Sequence, residues 1–154
     1  MAITVGQTSL DHRLPISLFV LRLSIGWFFM QWAIEKFVKP EVSAKIFSAF
    51  YKLPLDLDLA PIVGGLQILL VLAFLTGFLK PLSYGLIATM HSVTTASTWK
   101  SIFMPFADGS NHLFTTGVPV LAACWILFAL RDQDVMFSID AWRARRAPGI
   151  AAAT

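Results

Sequence analysis

Four apolar runs alternate with shorter polar stretches along the chain, and their lengths set the expected architecture. They occupy about residues 14–36, 61–79, 82–103 and 113–130. A helix rises 1.5 Å per residue, so about 20 apolar residues cross a bilayer core of about 30 Å. The first run is broken only by Arg22 and Gln31 before it meets Glu35 and Lys36. The third is the most polar. The pattern predicts an all-α integral membrane fold, a bundle of four antiparallel transmembrane helices. Pro61 suits a first helical turn, where its missing N–H costs nothing. Lys80-Pro81 leaves so little chain between the second and third runs that they must be antiparallel neighbours.

Between the first two runs, Val42, Ile46, Phe47, Phe50 and Tyr51 recur at helical spacing. They predict an interfacial amphipathic helix, stopped by Pro54. After the fourth run, Phe137, Ile139 and Trp142 alternate with polar residues and lead into Arg143, Arg145 and Arg146. This reads as a segment held at anionic headgroups, at about 1 kcal/mol per basic residue. The chain thus divides into a cytoplasmic N-terminal tail (1–13), a membrane domain (14–142) and a basic, disordered tail (143–154). The N-terminus does not read as a signal peptide: Asp11 precedes Arg13, and the apolar run is too long and lacks a cleavage site.

Composition strengthens the membrane reading. Of the 154 residues, 56% are hydrophobic and 14% charged, against about 25% charged in a soluble domain. The net charge of +3 does not suggest a nucleic-acid partner, because the basic residues sit at segment ends. With four spans, Arg13, Lys80, Arg131, Arg143, Arg145 and Arg146 share one side, and Lys36, Lys39, Lys45, Lys52 and Lys100 the other. The arginine cluster after the last run places both termini in the cytoplasm. Trp32 and Trp99 then fall near the outer interface and Trp142 near the inner one. Cys124 is the only cysteine, which excludes an intrachain disulfide or a cysteine-based metal site.

Polar residues inside apolar runs are the candidate chemistry, because each costs free energy unless partnered. Gln31 and Glu35 are i, i+4 neighbours on the first helix, one turn beyond Trp27. Glu35 either exchanges a proton with a ligand or marks the helix end. His91, Thr94, Thr95 and Thr98 form a stripe on the third helix. They suit a quinone carbonyl or a proton relay, or else hydrogen bonding to a neighbouring helix through a group such as Gln67. Gln31, Glu35, Gln67, His91, Thr94, Thr95 and Thr98 are therefore the candidate quinone or ligand cavity, with Asp108, Asn111 and His112 above it. Arg22 faces the other way, about two turns in from the inner end, where it either snorkels to the interface or, the better reading, takes a structural role such as an ion pair with Asp140. Intramolecular bis-histidine haem ligation is disfavoured: among His12, His91 and His112, the last two should differ in depth by about three helical turns. Copper could use His91, His112, Met90 and Met104, but their spacing matches no metal motif. Gly64-Gly65 and Gly85 allow close helix approach within the chain or in a homo-oligomer.

The chain resembles the DoxX family of small four-helix bacterial membrane proteins. The likeness lies in LRLSIGWFF followed by Glu35-Lys36-Phe37 and Lys39-Pro40, in GGLQILLVLAFLTGFLKPLSYGLIAT, and in Phe137-Ser138-Ile139-Asp140. It covers roughly residues 14–142, and the order of the motifs carries it. Glu35 replaces the family's usual small residue, and Asp132-Gln133-Asp134 replaces a glycine-rich approach to the tail. The resemblance implies an inner-membrane protein linked to quinone-coupled redox chemistry, an accessory subunit docked to an oxidoreductase partner. It supplies no catalytic residue. A non-catalytic scaffold or small-solute permeation protein is the alternative, and copper handling the third.

Overall fold

In the computed structural model, residues 4–108 and 110–146 are described, with side chains from residue 13 onward. The first apolar run holds only Pro15 and Gly26 as helix breakers, and one long helix, α1 (Thr4–Val38), passes through both. It begins well ahead of residue 14, where the span was expected to open. Pro40 then opens α2 (Pro40–Ile46), which continues as a π-helical turn (Phe47–Tyr51). That turn stops where Lys52 adopts a left-handed conformation, just before Pro54. The amphipathic linker helix is thus present, with Ser43 buried and Ile46, Phe47, Phe50 and Tyr51 half-buried.

Pro61 and Pro81 lie in the first turns of α3 (Ala60–Leu75) and α4 (Lys80–Ser97). The third apolar run is not one helix. It breaks at Thr98 and resumes as α5 (Trp99–Phe103). At the break, Ser97 and Thr98 hydroxyls donate back to the carbonyls of Thr94 and Thr95. Such local bonds compete with helix continuation. The fourth run opens with a 3-10 turn (His112–Thr116), capped by the Asn111 side chain, and continues as α6 (Gly117–Ala129). Last comes α7 (Ile139–Arg146). Arg143, Arg145 and Arg146 therefore belong to a helix rather than opening a disordered tail. Residues 147–154 and the side chain of His12 lie outside the described residues. The described residues form seven α-helices and no strand.

The long helices pack as a ring in which α1 meets α3 and α6, and α4 meets α3 and α6. Gly26 sits against Leu75, and Gly64 against Ala33, Lys36 and Phe37, so α1 and α3 run antiparallel. Gly85 against Phe128 and His91 against Gly117 give the same relation for α4 and α6. Gly64 and Gly85 thus serve packing within the chain. The core contains Leu18, Ile25, Phe29, Val71, Phe74, Tyr84, Ile87, Ala88, Cys124 and Leu127.

Outside this core the helices stay apolar. Val20 and Leu23 on α1, Leu66 and Leu69 on α3, Leu86 and Val93 on α4, and Val118 and Ile126 on α6 are all exposed. Two segments, Arg13–Val38 and His112–Ala129, are long and apolar enough to cross a membrane, and Ala60–Leu75 is a shorter apolar helix.

Candidate functional site

At the α2 end of the bundle, helical spacing puts Gln31 and Glu35 on one flank of α1. With Trp27, Phe28, Trp32 and Lys39 they line an open groove of about 570 Å³. Gln31 is exposed and Glu35 half-buried. The Glu35 Oε2 atom is buried and has no hydrogen-bond partner. The groove therefore joins aromatic walls to a carboxylate with unused acceptor capacity.

The other five candidates do not line this groove. Gln67 turns inward and accepts from the Lys36 ammonium at 2.8 Å, while Lys36 also donates to the Trp32 carbonyl at 2.9 Å. His91 is buried and bonds the Gly117 carbonyl on α6 through Nε2 at 3.1 Å, not Gln67. Phe28 and Phe29 meet its ring edge-to-face at 5.7 and 5.6 Å. Phe28 also lines the groove, so one aromatic ring separates Glu35's groove from His91. Thr94 Oγ1 lies 2.7 Å from the Tyr51 hydroxyl, which ties the π-helical turn to α4. Thr98 bonds backbone carbonyls of its own helix, and Thr95 Oγ1 is buried without a partner. The seven residues thus separate into an open pair, an internal His–Thr stripe and a Lys36–Gln67 contact.

The loop residues above are exposed: Asp108, Asn111 and His112. Asn111 accepts from the Leu113 N–H, and Asp108 borders a hollow of about 190 Å³ with Lys100 and Ser110. His91 is buried within α4 while Met104, just after α5, and His112, at the start of the 3-10 turn, are exposed, so the copper candidates are not drawn into one shell. Among the described residues no group of three or more His, Cys, Asp or Glu side chains could hold a metal ion.

The densest polar cluster lies at the opposite end. Arg22 and Asp134 are both fully buried and form an ion pair at 3.0 Å. The Tyr84 hydroxyl donates to the same Asp134 oxygen at 2.7 Å and accepts from Arg22 at 3.2 Å. Arg22 also donates to the Met136 and Phe137 carbonyls, and Lys80 to those of Arg131 and Asp134. The expected Arg22–Asp140 pair is therefore corrected to Arg22–Asp134. Asp140 sits in the first turn of α7, where its carboxylate accepts the backbone N–H groups of Leu79 and Lys80 at 3.1 and 2.8 Å. It caps α4, whose preceding residue Leu79 is left-handed and offers no side-chain cap. An arginine inside an apolar run signals a buried carboxylate. Choosing among Asp132, Asp134 and Asp140 required the path of the chain after α6. Tyr84 carried no sequence signal beyond being a hydroxyl in an apolar helix.

Comparison of the chain with family models, with curated proteins and with solved structures finds no match in any of the three.

Proposed function

We propose that the chain is a four-span, DoxX-like inner-membrane protein that serves as an accessory subunit of a quinone-linked oxidoreductase. In this reading α1, α3, α4 and α6 cross the bilayer and both termini are cytoplasmic. The groove beside Glu35 then receives a quinone from the lipid. The observation that carries the proposal is the groove itself: Glu35, with an unpartnered carboxylate oxygen, shares its lining with three aromatic rings, Gln31 and Lys39. A quinol hydroxyl can donate to Glu35 while its ring packs on Trp27, Phe28 or Trp32. His91 lies behind Phe28. The exposed apolar faces of all four long helices support the bilayer as their solvent, since large exposed apolar patches mark contact surfaces.

The motifs that carry the DoxX resemblance also meet in space. Lys36 and Phe37 pack on Gly64 and Gln67 of the Gly-Gly-Leu-Gln stretch. Ser138 and Asp140 dock on the turn at residues 77–80. These contacts account for the motif order as packing. They supply no catalytic role.

The test is quenching of tryptophan fluorescence by a short-chain ubiquinone, with the protein in lipid nanodiscs. Saturable quenching is expected for wild type and a loss of at least tenfold in affinity for Glu35→Ala. Unchanged affinity in that variant sinks the groove. The scaffold reading is then preferred, since His91, Gln67, Thr94 and Thr98 already spend their hydrogen bonds inside the protein.

A further inference from the structure

We infer that α7 and the turn it docks on form a binding site for anionic phospholipid headgroups, with Arg143, Arg145 and Arg146 as the phosphate-binding groups. The inference rests on the membrane reading above, but concerns the end of the bundle remote from the groove.

Most of the donors are available; Arg145 gives one long bond, at 3.5 Å, to the Val135 carbonyl. Among the described residues the only ion pair is Arg22–Asp134, so none of the three guanidinium groups is neutralised there by a carboxylate. Of the acidic groups on the chain after α6, Asp134 is committed to Arg22 and Tyr84 and Asp140 to the Leu79 and Lys80 N–H groups, and the exposed Asp132 forms no ion pair with the arginines. Arg143 lies over the Phe78 ring at 5.1 Å and Arg146 over Trp142 at 3.9 Å. A ring beneath a guanidinium leaves its charge unneutralised, and a guanidinium binds phosphate in bidentate fashion.

The donors are also positioned. The Ile139 N–H donates to the Thr76 carbonyl at 2.9 Å, and Ser138 Oγ donates to the Gly77 carbonyl at 3.2 Å. Arg22 holds the two carbonyls before α7, across a left-handed Phe137 at φ 46°. An aromatic residue is rarely left-handed unless its surroundings hold it there. The arginines are therefore fixed against the bundle end rather than carried on a loose tail. Phe137 and Trp142 are 76% and 52% exposed beside them. Bulky apolar rings next to phosphate-binding charge match the headgroup boundary of a bilayer better than a soluble anion.

The full-length protein would be titrated with phosphatidylglycerol and with phosphatidylcholine, and lipid occupancy read by native mass spectrometry. Three variants accompany wild type: R143Q/R145Q/R146Q, R143K/R145K/R146K, and K45Q/K52Q/K100Q at the other end. Wild type should prefer phosphatidylglycerol. The arginine-to-glutamine triple should lose it by on the order of a hundredfold. The lysine-for-arginine triple should lose about tenfold and the K45Q/K52Q/K100Q triple nothing. Equal affinity for the two lipids, equal loss at both ends, or competition by millimolar inorganic phosphate overturns the proposal. If the glutamine triple does not fold, the arginine-to-lysine triple carries the test: wild-type affinity there denies a guanidinium site. Alkaline carbonate washing separates the two readings. A chain washed off the membrane refutes the bilayer reading, whereas one that stays without lipid preference refutes only this site.

Discussion

At the α7 end of the bundle, Arg22, Tyr84 and Asp134 are fully buried and bonded to one another, with Arg22 Nε, Asp134 Oδ1 and Arg131 Nε left unpartnered, whereas at the α2 end Glu35 Oε2 and Thr95 Oγ1 are unpartnered and no side-chain bond links them to a neighbour. Both ends set polar groups into apolar helices, and both carry the same desolvation cost in kind. At the first end most of it is offset by mutual bonding, through Arg22 Nη1 and Nη2, the Tyr84 hydroxyl and Asp134 Oδ2, and the result is a closed joint between α1, α4 and the chain after α6. At the second end part of it is left uncompensated, beside an open groove. Bonded buried polar groups specify structure, and a carboxylate with a buried oxygen and no bonds of its own, on a residue that borders a groove, keeps capacity for a ligand.

The sharpest way to break this comparison is to break the joint. Asp134→Ala leaves Arg22 buried with no counter-charge and should cost about 3–5 kcal/mol of stability. Thermal unfolding of the purified protein reads this. The double variant Arg22→Met, Asp134→Leu should recover most of the loss, because an apolar pair of similar volume needs no desolvation. A double variant as unstable as the single one would mean that the bonds to Met136 and Phe137, not the charge pair, hold this end.

A smaller effect is expected at Gly77, which sits at φ 61° with the Ser138 and Arg22 side chains occupying the space that a β-carbon would need. Gly77→Ala adds a methyl group where those side chains lie and should cost about 1–3 kcal/mol. Lost docking of α7 should appear as faster proteolysis after Arg143. An alanine variant as stable as wild type would argue that the α7 end is looser than the hydrogen bonds imply.

Least disturbing of the three is Glu35→Gln. Its Oε2 has no partner to lose, so stability should change by less than about 0.5 kcal/mol. A loss of 2 kcal/mol or more, of the size seen when a hydrogen-bonded charge is removed, would place Glu35 in a structural network and erase the contrast between the two ends.

Much of the helical layout was legible in the chain. The run lengths gave four long helices, Pro61 and Pro81 marked two helix starts, and the spacing from Val42 to Tyr51 gave the linker helix. These are local signals, carried by periodicity and by the backbone chemistry of proline. The third run was expected as one helix because its apolar character continues through Thr98. The hydroxyl bonds seen at that break depend on rotamers, which hydropathy does not encode.

The candidate site was legible in part for a similar reason. Gln31 and Glu35 share a flank because i and i+4 must, whatever the rest of the protein does. That His91 would bond Gly117, Gln67 would bond Lys36 and Thr94 would meet Tyr51 depends on helices distant in sequence arriving at one height.

By itself, then, the sequence determined the helical content and the presence of an arginine inside an apolar run, for which a carboxylate partner was one expectation. Only the tertiary structure decided which carboxylate. Arg22 and Asp134 are separated by 112 positions, and no local periodicity relates two residues so far apart. Their pairing follows from the reversal of the chain after α6, which the left-handed Phe137 and the docking of Ser138 and Asp140 on the α3–α4 turn set in place.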